Sequence, residues 1–351
     1  MAQLSLINEA KIKLQKIMEV SVDGPAKLVA DAILRGPSHV RELALSGGLV
    51  SNELRQIAWP YLLSDGTFTE SADRVKRSEK DEMETFKQIE LDVPRSVPEE
   101  NRVFVQAFLI EFFQKQNDLC FFQGFVDIAW TVLQVMGESE QGTLSAHFVL
   151  GRLSRDFFLR DAHRSNFDAV YSCLESVRAI IVKMDKDLAK LWEDTEATNF
   201  WAISPLVCLF AHDLSDISVT ARILDAIIAS EKRLDFPIFL VASLVLLPNV
   251  RAKLLEGESD AASIHETLLE SARDIRNIEE LVDLAITLRE KVPPRFVLRI
   301  AQNYGLPSDS ILLRNQPFQT PTLLSKKRSW RTYTFFTSSA SNYAEINAKS
   351  S

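Results

Sequence analysis

An all-α fold is what this sequence predicts, on three observations. Apolar residues recur at i, i+3, i+4 and i+7 through most of the chain, the spacing that lines one face of a helix. Glycine and proline are sparse, 11 and 13 among 351 residues, so long stretches can run helical. No sustained alternation of apolar and polar residues and no βαβ rhythm occurs, and no repeat of 33 to 47 residues suggests a solenoid.

The elements follow in order. Residues 4–19 are amphipathic, with Leu4, Ile7, Ile12, Leu14 and Ile17 set among charges. A second helix covers about 25–35 and stops at Gly36-Pro37, because glycine closes helices and proline cannot continue them. Ser51 is placed to cap a third, whose buried stripe is Leu54, Ile57, Ala58, Tyr61 and Leu62. Residues 64–92 carry a dense run of mixed charge from Glu70 to Lys87, read as a solvated loop or exposed helix. Pro94 and Pro98 then bracket a short segment expected to be non-helical. Val105, Phe108, Leu109 and Phe112 form the next stripe; Phe121-Phe122-Gln123-Gly124 opens a further helix with Ala129, Val132, Leu133 and Met136 inside. Stripes continue through Phe167–Leu174, Leu188–Trp192, Phe200–Phe210, Ile223–Ile228 and Ile278–Leu288. The apolar run Phe236–Leu247 is too short for a bilayer and reads as a core helix. From about 315 the chain is rich in Thr, Ser and Asn around a basic-aromatic cluster, Lys326 to Phe336, and is expected to lack a core of its own.

Composition narrows function. With 46% hydrophobic and 25% charged residues the chain is an ordinary globular one, large enough for one extended domain or two helical lobes. A net charge of −8 argues against a nucleic-acid partner. The three cysteines, Cys120, Cys173 and Cys208, are widely spaced and form no CxxC pair, which points to a reducing compartment and to neither zinc nor disulfides. Charges at Glu9, Lys11, Lys13 and Lys16 exclude a signal peptide. Phosphate-binding GxxxxGK[ST] and the GxGxxG, HExxH and GxSxG signatures do not occur. The five histidines (His39, His147, His163, His212, His265) stand at no metal-ligand spacing, so no metal site is expected and each reads as a surface or satisfied core histidine.

Two segments carry chemistry. In Ile89-x-x-Asp92-x-x-Arg95 an acid sits three residues before an arginine on a proline-braced approach. A projecting arginine can neutralise charge developing on a transferring phosphoryl group; alone, the same pattern is more often that of a surface arginine with a local partner. In Phe122-Gln123-Gly124 the glutamine amide can orient a water and the glycine permits close backbone approach, or the segment is simply a helix-opening turn. An arginine and a glutamine without a base, nucleophile or metal suit the completion of another protein's phosphoryl-transfer site.

Taken together, these segments resemble the TBC-domain Rab GTPase-activating proteins. Leu54-Arg55-Gln56-Ile57-Ala58-Trp59-Pro60-Tyr61-Leu62-Leu63 is similar to the family's opening motif, Ile89-x-x-Asp92-x-x-Arg95 to its IxxDxxR motif, and Phe121-Phe122-Gln123-Gly124-Phe125-x-Asp127-Ile128 to its YxQGMxDI motif. Leu209–Asp216 with Arg222-Ile223-Leu224-Asp225 resembles the branch acting on Rabs of endoplasmic reticulum to Golgi traffic, whose members usually carry a C-terminal membrane anchor that is not seen in this sequence.

The resemblance implies a two-lobed helical domain over residues 30–300, preceded by a helical extension (1–29) and followed by a C-terminal extension (301–351). It further implies Arg95 as arginine finger and Gln123 as glutamine finger, supported by Asp92, Ser96 and Asp127, with Arg55, Trp59 and Gly124 structural. The partner would be a GTP-bound Rab, which carries the GTP and Mg²⁺, so no cofactor of the chain's own is expected. The expected location is cytoplasmic, peripheral to endoplasmic reticulum and Golgi membranes, with weak membrane contact through residues 326–336 as against a plain solvated tail. The family's usual Thr is Ser96 here, its Tyr is Phe121 and its Met is Phe125. A non-stimulating TBC-like scaffold that binds a Rab is the competing expectation.

Overall fold

A computed structural model describes residue 14 and residues 24–64, 77–230, 234–258 and 260–314. The expectations for residues 4–13 and 15–19, for 65–76 and for the tail from 315, including the 326–336 cluster, lie outside the described residues. Among the described residues every regular element is helical. The first group comprises α1 (Pro25–Arg35), α2 (Pro37–Ser46), α3 (Asn52–Ser64), α4 (Glu79–Ser96), α5 (Arg102–Lys115), α6 (Phe125–Met136) and α7 (Glu140–Asp156). After the short α8 (Leu159–Ala162) come α9 (Asp168–Met184), α10 (Lys186–Thr195), α11 (Ile203–Val207) and α12 (Ile217–Ala229). The chain finishes with α13 (Phe236–Leu246), α14 (Pro248–Glu256), α15 (Ala261–Arg273), α16 (Ile278–Lys291) and α17 (Pro294–Asn303).

Local chemistry accounts for the boundaries. Gly36 closes α1 at a φ of 123°, open to glycine, and Pro37 opens α2 in the first-turn position where its missing N–H costs nothing. Ser51 Oγ accepts from Leu54 N at the start of α3. Ser78 and Asp81 form a reciprocal capping box that starts α4, and the Arg77 guanidinium bonds Thr85 Oγ1 at 2.8 Å and lies over the Phe113 ring, tying that start to α5.

The segment around Pro94 departs from expectation. Pro94 lies inside α4, which runs on to Ser96, so Arg95 belongs to a helix end and not to a loop. Proline breaks a helix chiefly by removing one N–H, and here that loss falls in the last turn. Val97 N bonds Val93 O at 3.0 Å, and Arg102 donates to Pro94 O (3.1 Å) and Val97 O (3.0 Å), so two of the last-turn carbonyls, Val93 O and Pro94 O, are satisfied.

Helix α12 is central to the packing. It lies against α2, α3, α6 and α16, while α9 packs on α13 and α17 and α13 on α16. Accordingly α12 is buried over its whole inner length, Thr220 to Ala229, and α13 is buried from Phe236 to Val245. The Phe236 run is thus a core helix, and no single helix among the described residues is long and apolar enough to cross a membrane. Residues 301–314 join the same core through Ala301, Leu306, Ile311 and Leu312.

A buried polar cluster fixes the first helices to α12. Asp225 accepts from Arg55 Nε (3.1 Å) and Nη2 (3.0 Å), from Trp59 Nε1 (2.7 Å) and from the backbone N–H of Leu49 (2.9 Å). Burial pushes the Asp225 carboxyl up in pKa, opposed first by the Arg55 charge. One turn earlier, Arg222 bonds Ala44 O, Leu45 O and Glu279, joining α2 to α16.

Candidate functional site

The end of α4 meets the start of α6, and these two helices pack together. Asp92 faces inward with its side chain 7% exposed; three residues on, Arg95 projects with 58% of its side chain exposed. Their separation is one helical turn, and Arg95 Nη1 reaches Asp92 Oδ1 at 3.3 Å. The second Asp92 oxygen, Oδ2, is buried and accepts no hydrogen bond among the described residues. Burial raises the Asp92 pKa, while the Arg95 charge pulls it down; Asp127 and His212 lie close enough to act on the same carboxyl. Ser96 ends α4 half-buried.

Gln123 stands exposed in the loop before α6, between buried Phe122 and buried Gly124. Gly124 caps α6 in the left-handed region at φ 94°. A Cβ there would lie 2.3 Å from Cys208 Sγ, so close approach and backbone conformation both require glycine. Phe122 and Phe125 pack edge-on at 5.5 Å, and Phe121 packs edge-on to Phe113 at 5.6 Å. The far end of α6 is held by Gln56 Nε2, which donates to Val135 O at 3.0 Å.

Behind this loop lies the segment that follows α11. Leu209 (φ 51°) and Phe210 (φ 64°) are successive buried residues in the left-handed region, at a cost of about 1–3 kcal/mol each that the surrounding packing overrides. The tight turn they make brings His212 Nδ1 to within 3.2 Å of Asp127 Oδ2, a contact that raises the His212 pKa. Asp213 accepts from Ser204 Oγ at 3.0 Å, and burial raises its pKa. Thus Asp92, Asp127 and His212 share one electrostatic neighbourhood, with Arg95 exposed at its edge and Gln123 on the loop that leads into it.

Arg55 and Trp59 lie elsewhere, in the buried Asp225 cluster. Their partner Asp225 was not read as such from the sequence, being 170 positions away. From the sequence, His212 and His163 likewise read only as surface or satisfied core histidines. A polar His212-Asp213 pair breaking an apolar segment was the available signal for the first.

The arrangement is an exposed arginine at a helix end and an exposed glutamine on the loop before the neighbouring helix, in a helical frame. The family model of the Rab-GTPase-TBC domain matches residues 52–255. TBC1 domain family member 20 of Bos taurus is 30% identical over 277 residues, 75% of this chain and 65% of the relative; its Homo sapiens counterpart is 29% identical with the same coverage. The GTPase-activating protein gyp10 of Schizosaccharomyces pombe is 30% identical over 183 residues, covering 52% of this chain and 46% of the relative. The crystal structure of the Ypt/Rab-GAP domain of Gyp1p shares the fold, with a TM-score of 0.61 at 14% identity over 80% of this chain and 99% of that domain. This chain belongs to the Rab-GTPase-TBC domain family, and it spans 65% of the length of the mammalian relatives it matches.

Proposed function

We propose that this protein stimulates GTP hydrolysis by a Rab-family GTPase, supplying Arg95 and Gln123 to the GTPase's own catalytic site. The observation that carries this reading is the Arg95–Asp92 pair: an exposed guanidinium at a helix end, tethered at 3.3 Å to a buried carboxylate. The tether restricts the guanidinium without covering it. In trans, such a group stabilises charge on the transferring phosphoryl, an effect on the order of 10³–10⁵ in rate.

Gln123 offers an amide with one acceptor and two donors, enough to align an attacking water against the γ-phosphate. Its loop rests on Gly124, whose approach to Cys208 leaves little room for movement. Asp127, paired with His212, braces the first turn of α6 behind it. The nucleotide and Mg²⁺ belong to the GTPase in this scheme. The resemblance of Leu209–Asp216 and Arg222–Asp225 to the branch acting on Rabs of endoplasmic reticulum to Golgi traffic supports such a Rab as the substrate, with action in the cytoplasm, peripheral to those membranes.

Single-turnover phosphate release from a panel of GTP-loaded Rabs tests the reading, using the full chain, Arg95→Ala and Gln123→Ala. Stimulation of one or two Rabs, reduced about 10³-fold or more by Arg95→Ala and strongly by Gln123→Ala, is the expected result. GTP-dependent binding with no stimulation of any Rab would instead make the chain a scaffold.

A further inference from the structure

The imidazole of His163 is buried behind the Gln123 loop and touches the chain on both sides of it. His163 N–H and C=O groups fix the turn after α8, and its backbone carbonyl accepts from Cys120 N at 3.0 Å. Its ring Nδ1 returns to Cys120 O at 2.8 Å. A carbonyl only accepts, so Nδ1 carries the proton and Nε2 is left to accept from Ser154 Oγ on α7, at 3.0 Å. Burial holds the His163 pKa down to about 4, which leaves the ring neutral and in one tautomer at neutral pH. The ring packs against Phe122 and Phe125, each at 4.8 Å between centroids. Those two residues flank Gln123 and Gly124.

The turn bearing His163 is itself anchored. Asp161 is fully buried and accepts from Ser310 Oγ, from Ile311 N at 3.3 Å and from Arg164 Nε at 3.3 Å. A segment near position 310, beyond the residues matched to the family, is thus bolted to the support of the loop.

We propose that His163 is a positioning residue for Gln123: its Nδ1–H bond to Cys120 O and its contacts with Phe122 and Phe125 hold the glutamine amide where it can orient water. The inference rests on Gln123 having the water-orienting role described above. A histidine that merely filled the core would matter equally whether or not Gln123 were present. One that acts through Gln123 loses its importance once the amide is gone.

The test is single-turnover phosphate release from a responsive GTP-loaded Rab, with the full chain, Gln123→Ala, His163→Phe, the double variant and His163→Asn. Phe keeps an aromatic ring against Phe122 and Phe125 but removes both polar contacts. Asn restores a donor near the Nδ1 position. We expect His163→Phe to lower kcat by about tenfold with KM within about twofold, the size of a positioning defect. In the Gln123→Ala background His163→Phe should cost nothing further, and His163→Asn should recover most of the rate. If His163→Phe fails to fold, Ser154→Ala carries the same test: it leaves Nε2 without its donor while Nδ1 stays on Cys120 O, loosens the ring against Phe122 and Phe125, and should cost about threefold only when Gln123 is present. Equal losses with and without Gln123, beside a large effect of Gln123→Ala alone, would overturn the role of His163 and leave that of Gln123 standing. No effect of Gln123→Ala alone would overturn both.

Discussion

Asp127 Oδ2 and His212 Nδ1 lie 3.2 Å apart, joining the first turn of α6 to the turn that follows α11, 85 positions away in sequence. The pair sits on the first turn of α6, next to the Gln123 loop. It also places a titratable group with a raised pKa beside Asp92.

A pH dependence follows from that pair. The His212 pKa is raised, first by its bond to Asp127, above the ordinary value of 6.5. The folded state therefore holds the proton more tightly than the unfolded chain does. The stability this adds is fully present below pH 6.5 and is lost as pH rises through the raised value. Melting temperatures from pH 6 to 9 should fall more for the native chain than for His212→Ala. Parallel curves would mean that the His212–Asp127 pair adds no pH-dependent stability.

Gly124 makes a second prediction. Alanine there meets a left-handed backbone, costing about 1–2 kcal/mol, and a Cβ contact with Cys208 Sγ at 2.3 Å. Gly124→Ala should destabilise the fold by more than about 2 kcal/mol and depress stimulation as the Gln123 loop shifts. Removing the sulfur relieves only the contact. Denaturant unfolding of Gly124→Ala, Cys208→Ala and the double variant should reveal a favourable coupling of about 1 kcal/mol; simple additivity would mean that the two residues do not press on each other.

The Asp225 cluster sets the third. Asp225→Ala strands the Arg55 guanidinium, 6% exposed, without its carboxylate. Breaking a buried pair from one side costs about 3–5 kcal/mol. Urea unfolding should show a loss of that size. The double variant Asp225→Leu with Arg55→Met should recover part of it, since it removes the stranded guanidinium while the N–H groups of Trp59 and Leu49 stay without an acceptor. A loss under about 1 kcal/mol for Asp225→Ala would show that the cluster does not hold α3 to α12.

The helices were legible because their signals are local. The Leu54–Leu62 stripe, the Gly36-Pro37 junction and the Phe236 run each declare themselves within a dozen residues, and each forms the expected element. Pro94 misled because local chemistry opposes a helix there, while the compensation comes from Arg102, a neighbour in space whose role the sequence does not announce. The Asp92–Arg95 pair was readable from its i, i+3 spacing. By contrast His212, His163 and Asp225 find their partners 85, 43 and 170 positions away, and no pattern in one sequence carries such separations. That is why the Asp92–Arg95 contact was legible and the distant partners of Asp127, Cys120 and Arg55 were not.

In the proposed scheme this chain brings its own glutamine to the GTPase. The most direct measurement is stimulated phosphate release by the responsive Rab after that Rab's own water-orienting glutamine has been replaced by alanine. If Gln123 orients the water, stimulation by the native chain persists within about tenfold and disappears with Gln123→Ala. If stimulation by the native chain vanishes with the Rab's glutamine, the water is oriented by the GTPase, and Arg95 is all that this protein contributes to the chemistry.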